Sequence, residues 1–410
     1  MTTSQTMTPL AATELSVSHG IIGRNRLSVG RIPGARTLGV TVVVPVGTAH
    51  EQPGEAGFAH LTEHLAHQSI RDQLGHLVED RILAVGGLSN AQTYPFHTEF
   101  SFVIPAPARQ DLVHWIDLAR RRAASPPVTP VDLDREKAVI RQEVALRMSS
   151  SPVAGFPWID ALSALSSDYG LRHNGFSDLA DLEAASVHGV EQFWDRTYRR
   201  RHHSVAVVGP WTPEDVMDAV GGATGTDDTE NDAMVGVLDG PHDVQGSVAT
   251  LIPMHATVQC VGGSSSISRE ATDAAAMVAV EWANLVQSRT HWQLGLFGPT
   301  MGPDRNILIG SGPSASGPVA PFPRELAGTD RRLLDQAVAS ALGGIDKTLS
   351  SAATFSAQLA RDAMFGLDTL ERRRNVELVS APDIEAYLRR VAHSPVAALR
   401  SAVDRAGVPA

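Results

Sequence analysis

The sequence predicts an α+β chain of two similar domains, and three observations carry that prediction. The chain has 410 residues, 43% of them hydrophobic, which suits roughly two or three domains with ample core material. Short apolar runs rich in β-branched residues are followed by longer segments of helical period in both halves. The order of these elements restarts near residue 246, although no letter-level repeat accompanies it. Residues 1–19 read as an N-terminal tail, 20–210 as a first domain, 211–245 as a linker region and 246–410 as a second domain of the same type.

Leu38 to Val46 (LGVTVVVPV) reads as a buried strand that ends at Gly47. Pro53, Gly54 and Gly57 then break the chain, and Phe58 to Ile70 places Leu61, His64, Leu65 and Gln68 along one helical face. His97 to Ile104 alternates polar and apolar, as a half-buried strand does. Helices are expected over Gln110 to Arg122 and Pro130 to Met148, separated by Ser125-Pro126-Pro127, and over Asp178 to Tyr198. A strand at Ser204 to Val208 closes the first half. Gly221-Gly222 and the acidic stretch Thr226 to Asp232 read as linker. That stretch is not a calcium loop, which needs Gly at its sixth place and Glu at its twelfth. Beyond it come strands at Ser247 to Ile252 and Thr257 to Gly262, a helix from Glu270 to about Gln287 and a strand at Asn306 to Gly310. Helices near Pro323 to Leu342, Ala352 to Met364 and Pro382 to Val391 complete the order.

Composition excludes several function classes. Lys plus Arg number 34 against 45 Asp plus Glu, a net charge of −11, which argues against a nucleic-acid binder that must neutralise phosphates. The single cysteine, Cys260, can form no internal disulfide and no cysteine-clustered zinc or iron–sulfur site. It lies in an apolar run and reads as a core residue. The first twenty residues are polar, carry no Lys or Arg and hold no apolar run long enough for a signal segment or a membrane span. The expectation is a cytoplasmic protein without membrane or nucleic-acid partners.

Metal chemistry in such a chain must use His and carboxylates, and His60-Leu61-Thr62-Glu63-His64 has the required spacing. Two histidines at i and i+4 lie one turn apart on one helical face, so both can reach a single zinc ion, while Glu63 between them can take a proton from water. A third protein ligand is needed, and Glu143, on another expected helix, is the candidate. Glu136 lies seven residues earlier on the same face, placed to hydrogen-bond a ligating histidine. His67, one turn past His64, reads as a packed or exposed helix residue, because Glu143 already fills the third place.

These residues and their surroundings resemble the inverted-zincin peptidases of the pitrilysin and mitochondrial-processing-peptidase family. The matching positions are Gly47, Glu51, Gly57-Phe58-Ala59-His60 and Glu63-His64, then Gly86-Gly87-Leu88-Ser89-Asn90-Ala91-Gln92-Thr93, then Glu136 and Glu143, then Tyr198 with Val205 to Gly209. The resemblance covers about residues 20 to 210. It implies that His60, His64 and Glu143 bind Zn2+, that Glu63 is the general base and that Glu136 supports the site. It also implies that Asn90, Ala91 and Thr93, on an edge strand, contact a peptide substrate that adds as a further strand. Each domain would be a mostly antiparallel sheet packed with helices, and the two together would form half of a clamshell chamber.

The second half departs from the family pattern. Active members carry an Arg and a Tyr seven residues apart there, which hold the substrate carbonyl and the oxyanion. The nearest match is Ser288-Arg289 through Gly295 to Gly298, where Gly298 stands at the place of the Tyr. Tyr387 is the only tyrosine beyond residue 200. Losing an oxyanion donor costs about 100- to 1,000-fold in rate, so the pair is expected from a homologous partner chain. The sequence thus reads as the zinc-bearing subunit of a heterodimeric zinc endopeptidase that cleaves short or unfolded peptides, a biosynthetic precursor or leader peptide among them. A homodimeric peptidase and a non-catalytic binding or scaffold subunit are the alternatives. Two further features carry less weight: Arg199-Arg200-Arg201-His202-His203 reads as a solvated basic turn, and Gly262-Gly263 lacks the Lys of a phosphate loop.

Overall fold

The computed structural model describes residues 15–403 apart from 69, 73, 124–127, 151–156, 174–178, 222, 225–241, 243–248, 251–253, 263–268, 296–304, 317 and 327–330. The first half contains strands β1 (Ser16–Ile22), β2 (Asn25–Arg31), β3 (Thr37–Val44), β4 (Leu88–Thr93), β5 (Thr98–Pro105), β6 (Ser204–Gly209) and β7 (Ala223–Thr224). Its helices are α1 (Phe58–Gln68), α2 (Val78–Ala84), α3 (Leu112–Arg122), α4 (Pro130–Ser150), α5 (Trp158–Ser163), α6 (Tyr169–Arg172), α7 (Leu179–Ala184), α8 (Val187–Arg196) and α9 (Pro213–Val220). The second half contains β8 (Ala249–Thr250), β9 (Met254–Gly262), α10 (Arg269–Val286), β10 (His291–Leu294), β11 (Arg305–Pro313), α11 (Arg331–Leu349), α12 (Ala352–Met364), α13 (Thr369–Glu377), α14 (Ala381–His393), β12 (Val396–Arg400) and β13 (Ala402–Val403).

Seven strands form the first sheet in the order β4-β5-β3-β6-β2-β1-β7, antiparallel except for the β2–β6 pair. The second sheet, β10-β11-β9-β12, is antiparallel throughout, and β8 and β13 form a short parallel pair. The order β4-β5-β3-β6 and the order β10-β11-β9-β12 are the same arrangement, with α1 following the central strand in one half and α10 in the other. The α+β class and the repeated order of elements read from the sequence are present, carried by topology where the letters show no repeat.

β3 is largely apolar on both faces because both are buried. Val40, Val42 and Val44 enter a core with α1, α3 and α8, while Val43 enters the second core on the opposite face, beside Phe355 and Leu359 of α12. Gly39 makes that approach possible, because a Cβ there would stand 2.2 Å from the Ala352 carbonyl oxygen. Thr41 and Ser356 share a hydrogen bond of 2.9 Å, and Arg361 of α12 pairs with Glu99 of β5 at 2.8 Å. In return, Leu162 of α5, Leu165 just after it and Leu171 of α6 pack with Val258, Ile307 and Ile309 of the second sheet. Each half therefore lends a helix to the other's sheet.

Several expectations need correction. The strand β1 begins at Ser16, inside the expected tail, and pairs along its whole length with β2. The expected linker begins with α9, whose Val216 and Met217 are buried in the first core; Thr212 caps it by accepting from the Asp215 amide, with Pro213 in the first turn. The acidic stretch Thr226 to Asp232 lies outside the described residues. The helix expected over Asp178 to Tyr198 is divided into α7 and α8, because the Ser186 hydroxyl caps α8 by accepting from the Gly189 amide at 3.1 Å. α11 runs through Gly343-Gly344 to Leu349, whereas residues 323–326, where the sequence suggested the start of a helix, have no helical turn. α2, α5, α6, α13, β10 and β12 had no counterpart in the expected order.

A candidate metal centre

Two structural facts bring α1 to the edge of the first sheet. Leu61 and Leu65 are fully buried in the first core and fix one face of the helix. Gly47, just after β3, runs so close to the hairpin between β4 and β5 that a Cβ would lie 1.9 Å from the Tyr94 carbonyl oxygen. The Thr48 and Ala49 amides donate to the Tyr94 and Pro95 carbonyls at 3.2 and 2.8 Å, which sets the end of β4 against α1.

His60 and His64 lie one turn apart on α1 with their Nε2 atoms 3.2 Å from each other. Glu143 of α4 reaches both, its Oε2 lying 3.6 Å from His60 Nε2 and 3.3 Å from His64 Nε2. The donor atoms of these three side chains all lie within 4.8 Å of one another, and they are the only such group of three or more among the described residues. Two imidazole nitrogens and one carboxylate oxygen within reach of one point are a donor set that suits zinc, whose catalytic sites take three protein ligands and a fourth from outside the protein. The electrostatics agree with a site made for a cation. Burial lowers the pKa of His64, but hydrogen bonds to Glu136 and Glu143 outweigh it and raise the value to about 9.

Glu136 orients His64 from behind, its Oε2 lying 3.3 Å from Nδ1, while Arg135 Nε donates to its other oxygen at 2.9 Å. Burial works against ionisation of Glu136, yet His64 and Arg135 hold its carboxyl below the ordinary range. Glu63 is buried on the same helix and accepts a hydrogen bond from Thr93 Oγ1 at 3.2 Å. The sequence grouped Thr93 with the substrate contacts; in the structure its hydroxyl is bonded to Glu63. Ala91, like Thr93, faces the α1 side of β4, packed against the first core, whereas Asn90 is exposed on the other face of this edge strand. The three residues are thus brought to one strand but not to one surface.

His67 belongs to a separate cluster. Its Nε2 is 3.8 Å from Glu79, which also accepts from the buried Arg122 at 2.8 Å and from the Ser89 hydroxyl. Burial, assisted by Arg122, lowers the His67 pKa to about 4. In the second half Arg289 is exposed in the turn between α10 and β10, Gly298 lies outside the described residues, and Tyr387 is fully buried in the second core. Sequence reasoning also passed over one site element. Glu51, noted only as part of a pattern, is buried at the N-terminus of α1, where its carboxylate accepts from the Gly57 and Ala59 amides. A carboxylate shortly before a Gly-x-x-His helix start was the available signal.

Residues 29–152 match the family model of insulinase, peptidase family M16. An uncharacterized zinc protease of Mycobacterium leprae is 28% identical over 188 residues, covering 46% of this chain and 41% of the relative, so the match spans less than half of that protein. A protease from Helicobacter pylori has the same fold, with a TM-score of 0.69 at 13% identity, covering 94% of this chain and 99% of that one. The periplasmic protease PqqL from Escherichia coli gives 0.63 at 13% identity, this chain covering 47% of its length.

Proposed function

Because residues 29–152 match the family model of insulinase, peptidase family M16, we propose that the chain is a member of that family and the zinc-bearing subunit of a metalloendopeptidase that cleaves extended peptides. The observation that carries this reading is the convergence of His60, His64 and Glu143 within 4.8 Å beside a buried Glu63. These three residues would hold Zn2+, which when bound supplies a Lewis acid that acidifies water and polarises a carbonyl. Glu63 accepts the proton at its carboxylate and returns it to the leaving amine, and Thr93 Oγ1 keeps that carboxylate in place. Glu136 fixes the His64 ring so that Nε2 faces the metal position. The exposed edge of β4 offers unpaired backbone groups along which a peptide adds as a strand, past Asn90 and Ala91. A metal-bearing first half and a second half without a metal site belong to the same proposal.

The Arg and Tyr that hold the oxyanion would come from a homologous partner chain closing the other half of a chamber. Support lies in Tyr387, which is buried and cannot serve a substrate. The same fact favours the second reading, a non-catalytic scaffold subunit, against which the complete donor set argues. A homodimer would face the same missing Tyr twice. A cytoplasmic location suits a chain with one cysteine, and recovery of the protein in a periplasmic fraction, the compartment of the Escherichia coli neighbour, would overturn it.

The test is hydrolysis of a quenched peptide library by the zinc-loaded chain, alone and with a related chain carrying the Arg and Tyr. Activity in the mixture only, reduced about 100- to 10,000-fold by Glu63→Gln, is the expected result. Equal activity of the chain alone would refute the split enzyme, and silence in both would favour the scaffold.

A further inference from the structure

We propose that Glu51 and His173 are positioning residues for the metal centre, a buried clamp that holds the first turn of α1 and thereby the backbone that carries His60. The inference rests on reading His60, His64 and Glu143 as zinc ligands. Glu51 lies outside α1 and is 3% exposed: its Oε1 accepts from the Ala59 amide at 2.7 Å and its Oε2 from the Gly57 amide at 3.1 Å. The opening turn of any helix leaves four amides without intrahelical partners, and a buried turn whose amides find no acceptor frays or shifts. Ala59 is the residue immediately before His60, so the acceptor that fixes its amide also fixes where the His60 imidazole starts from.

The two histidines are thus held by different means. His64 is oriented through its ring, by Glu136 at Nδ1. The turn that carries His60 is oriented through its backbone, by Glu51. Glu51 is in turn held by His173, whose Nε2 meets its Oε2 and whose Nδ1 donates to the Tyr169 carbonyl at 2.9 Å. The His173 ring is 6% exposed and lies flat on Tyr169, at 4.7 Å between centroids and 4° between planes. Burial depresses His173, but the Glu51 carboxylate outweighs it and raises the imidazole above its usual value. Tyr169 begins α6, and Leu171 of the same helix packs with the second sheet. A continuous set of contacts therefore runs from the second half through α6, His173 and Glu51 to the first turn of the metal helix.

The experiment measures zinc affinity by chelator competition, together with the d–d spectrum of the cobalt(II)-substituted chain, for wild type, Glu51→Gln and His173→Gln. Asp362→Asn serves as control, because Asp362 is buried far along the chain in a pair with Arg372 at 2.6 Å and its loss destabilises without touching the clamp. All are measured below their own melting temperatures. Glu51→Gln is expected to weaken zinc binding about tenfold or more and to alter the cobalt spectrum, with His173→Gln shifting both in the same direction and Asp362→Asn leaving both unchanged. If Glu51→Gln does not fold, His173→Gln carries the test alone. Wild-type affinity and spectrum in the folded clamp variants would overturn the inference, as would an equal shift in Asp362→Asn. Failure of the wild-type chain to bind zinc would instead remove the metal-site reading on which the clamp depends.

Discussion

Glu63 and Thr93 show what one hydrogen bond does at the scale of a residue. The Thr93 hydroxyl reaches a buried carboxylate that has to move a proton without losing its aim, at 3.2 Å. Thr93→Val keeps the shape and removes the donor. A neutral-to-charged hydrogen bond of about 1.5 kcal/mol is worth about tenfold, so the turnover of the assembled enzyme falls by about that factor while zinc affinity holds. A matching loss of zinc affinity would mean that Thr93 supports the ligands and not Glu63. The pairing of Glu63 with Thr93 was not legible in the sequence, because 30 residues separate them and strand-to-helix contacts depend on register. The spacing of His60, Glu63 and His64 was legible, since one helical turn is a local property.

At the scale of the element, two glycines have opposite meanings. Gly39 in β3 meets the Ala352 carbonyl oxygen at 2.2 Å from where its Cβ would stand, so Gly39→Ala must push α12 off the sheet. A loss of about 1–3 kcal/mol in denaturant unfolding is expected. Gly343 in α11 has no described atom within 4 Å of where a Cβ would stand, and Gly343→Ala should stabilise by about 0.5–1 kcal/mol. Reversed signs in the two unfolding curves would contradict this packing. The same pair shows the limit of reading helices from punctuation. Gly343-Gly344 looks like a helix end, yet Ile345 and Leu349 continue the buried face beyond it, and that burial outweighs the propensity cost.

The whole molecule carries a pH signature. Burial keeps His50, His97 and His203 largely neutral, with pKa values lowered to about 4, about 3 and about 4, aided at His50 by Arg201 and Arg196 and at His97 by Arg361. In the unfolded chain each returns to about 6.5. Below that value the unfolded chain binds more protons than the folded one, so stability is present above pH 6.5 and is lost as the pH falls toward 4. His64 and His173 are shifted upward, so their contribution is present below pH 6.5 and is lost as the pH rises, through about 9 for His64. The metal-free chain should therefore melt highest near neutrality, with a fall of several degrees, about 5 °C or more, by pH 4.5. A melting temperature that rises steadily into acid would show these histidines to be solvated. The chain has no helix among its described residues long and apolar enough to cross a membrane.

The sequence by itself determined the local chemistry: the α+β class, the helix α1 with its two histidines and Glu63, and α12 to the residue, since Ala352 to Met364 follows a Ser cap and a clean apolar period. These depend on contacts within a turn or two of the chain, which periodicity records. Only the tertiary structure decided that Thr93 serves Glu63, that α12 covers the first sheet while α5 and α6 meet the second, and that Glu51 and His173, 122 residues apart, close on the start of α1. Those contacts join segments whose own patterns are satisfied by several partners. The choice among them is made by which buried faces and buried charges can be matched at once.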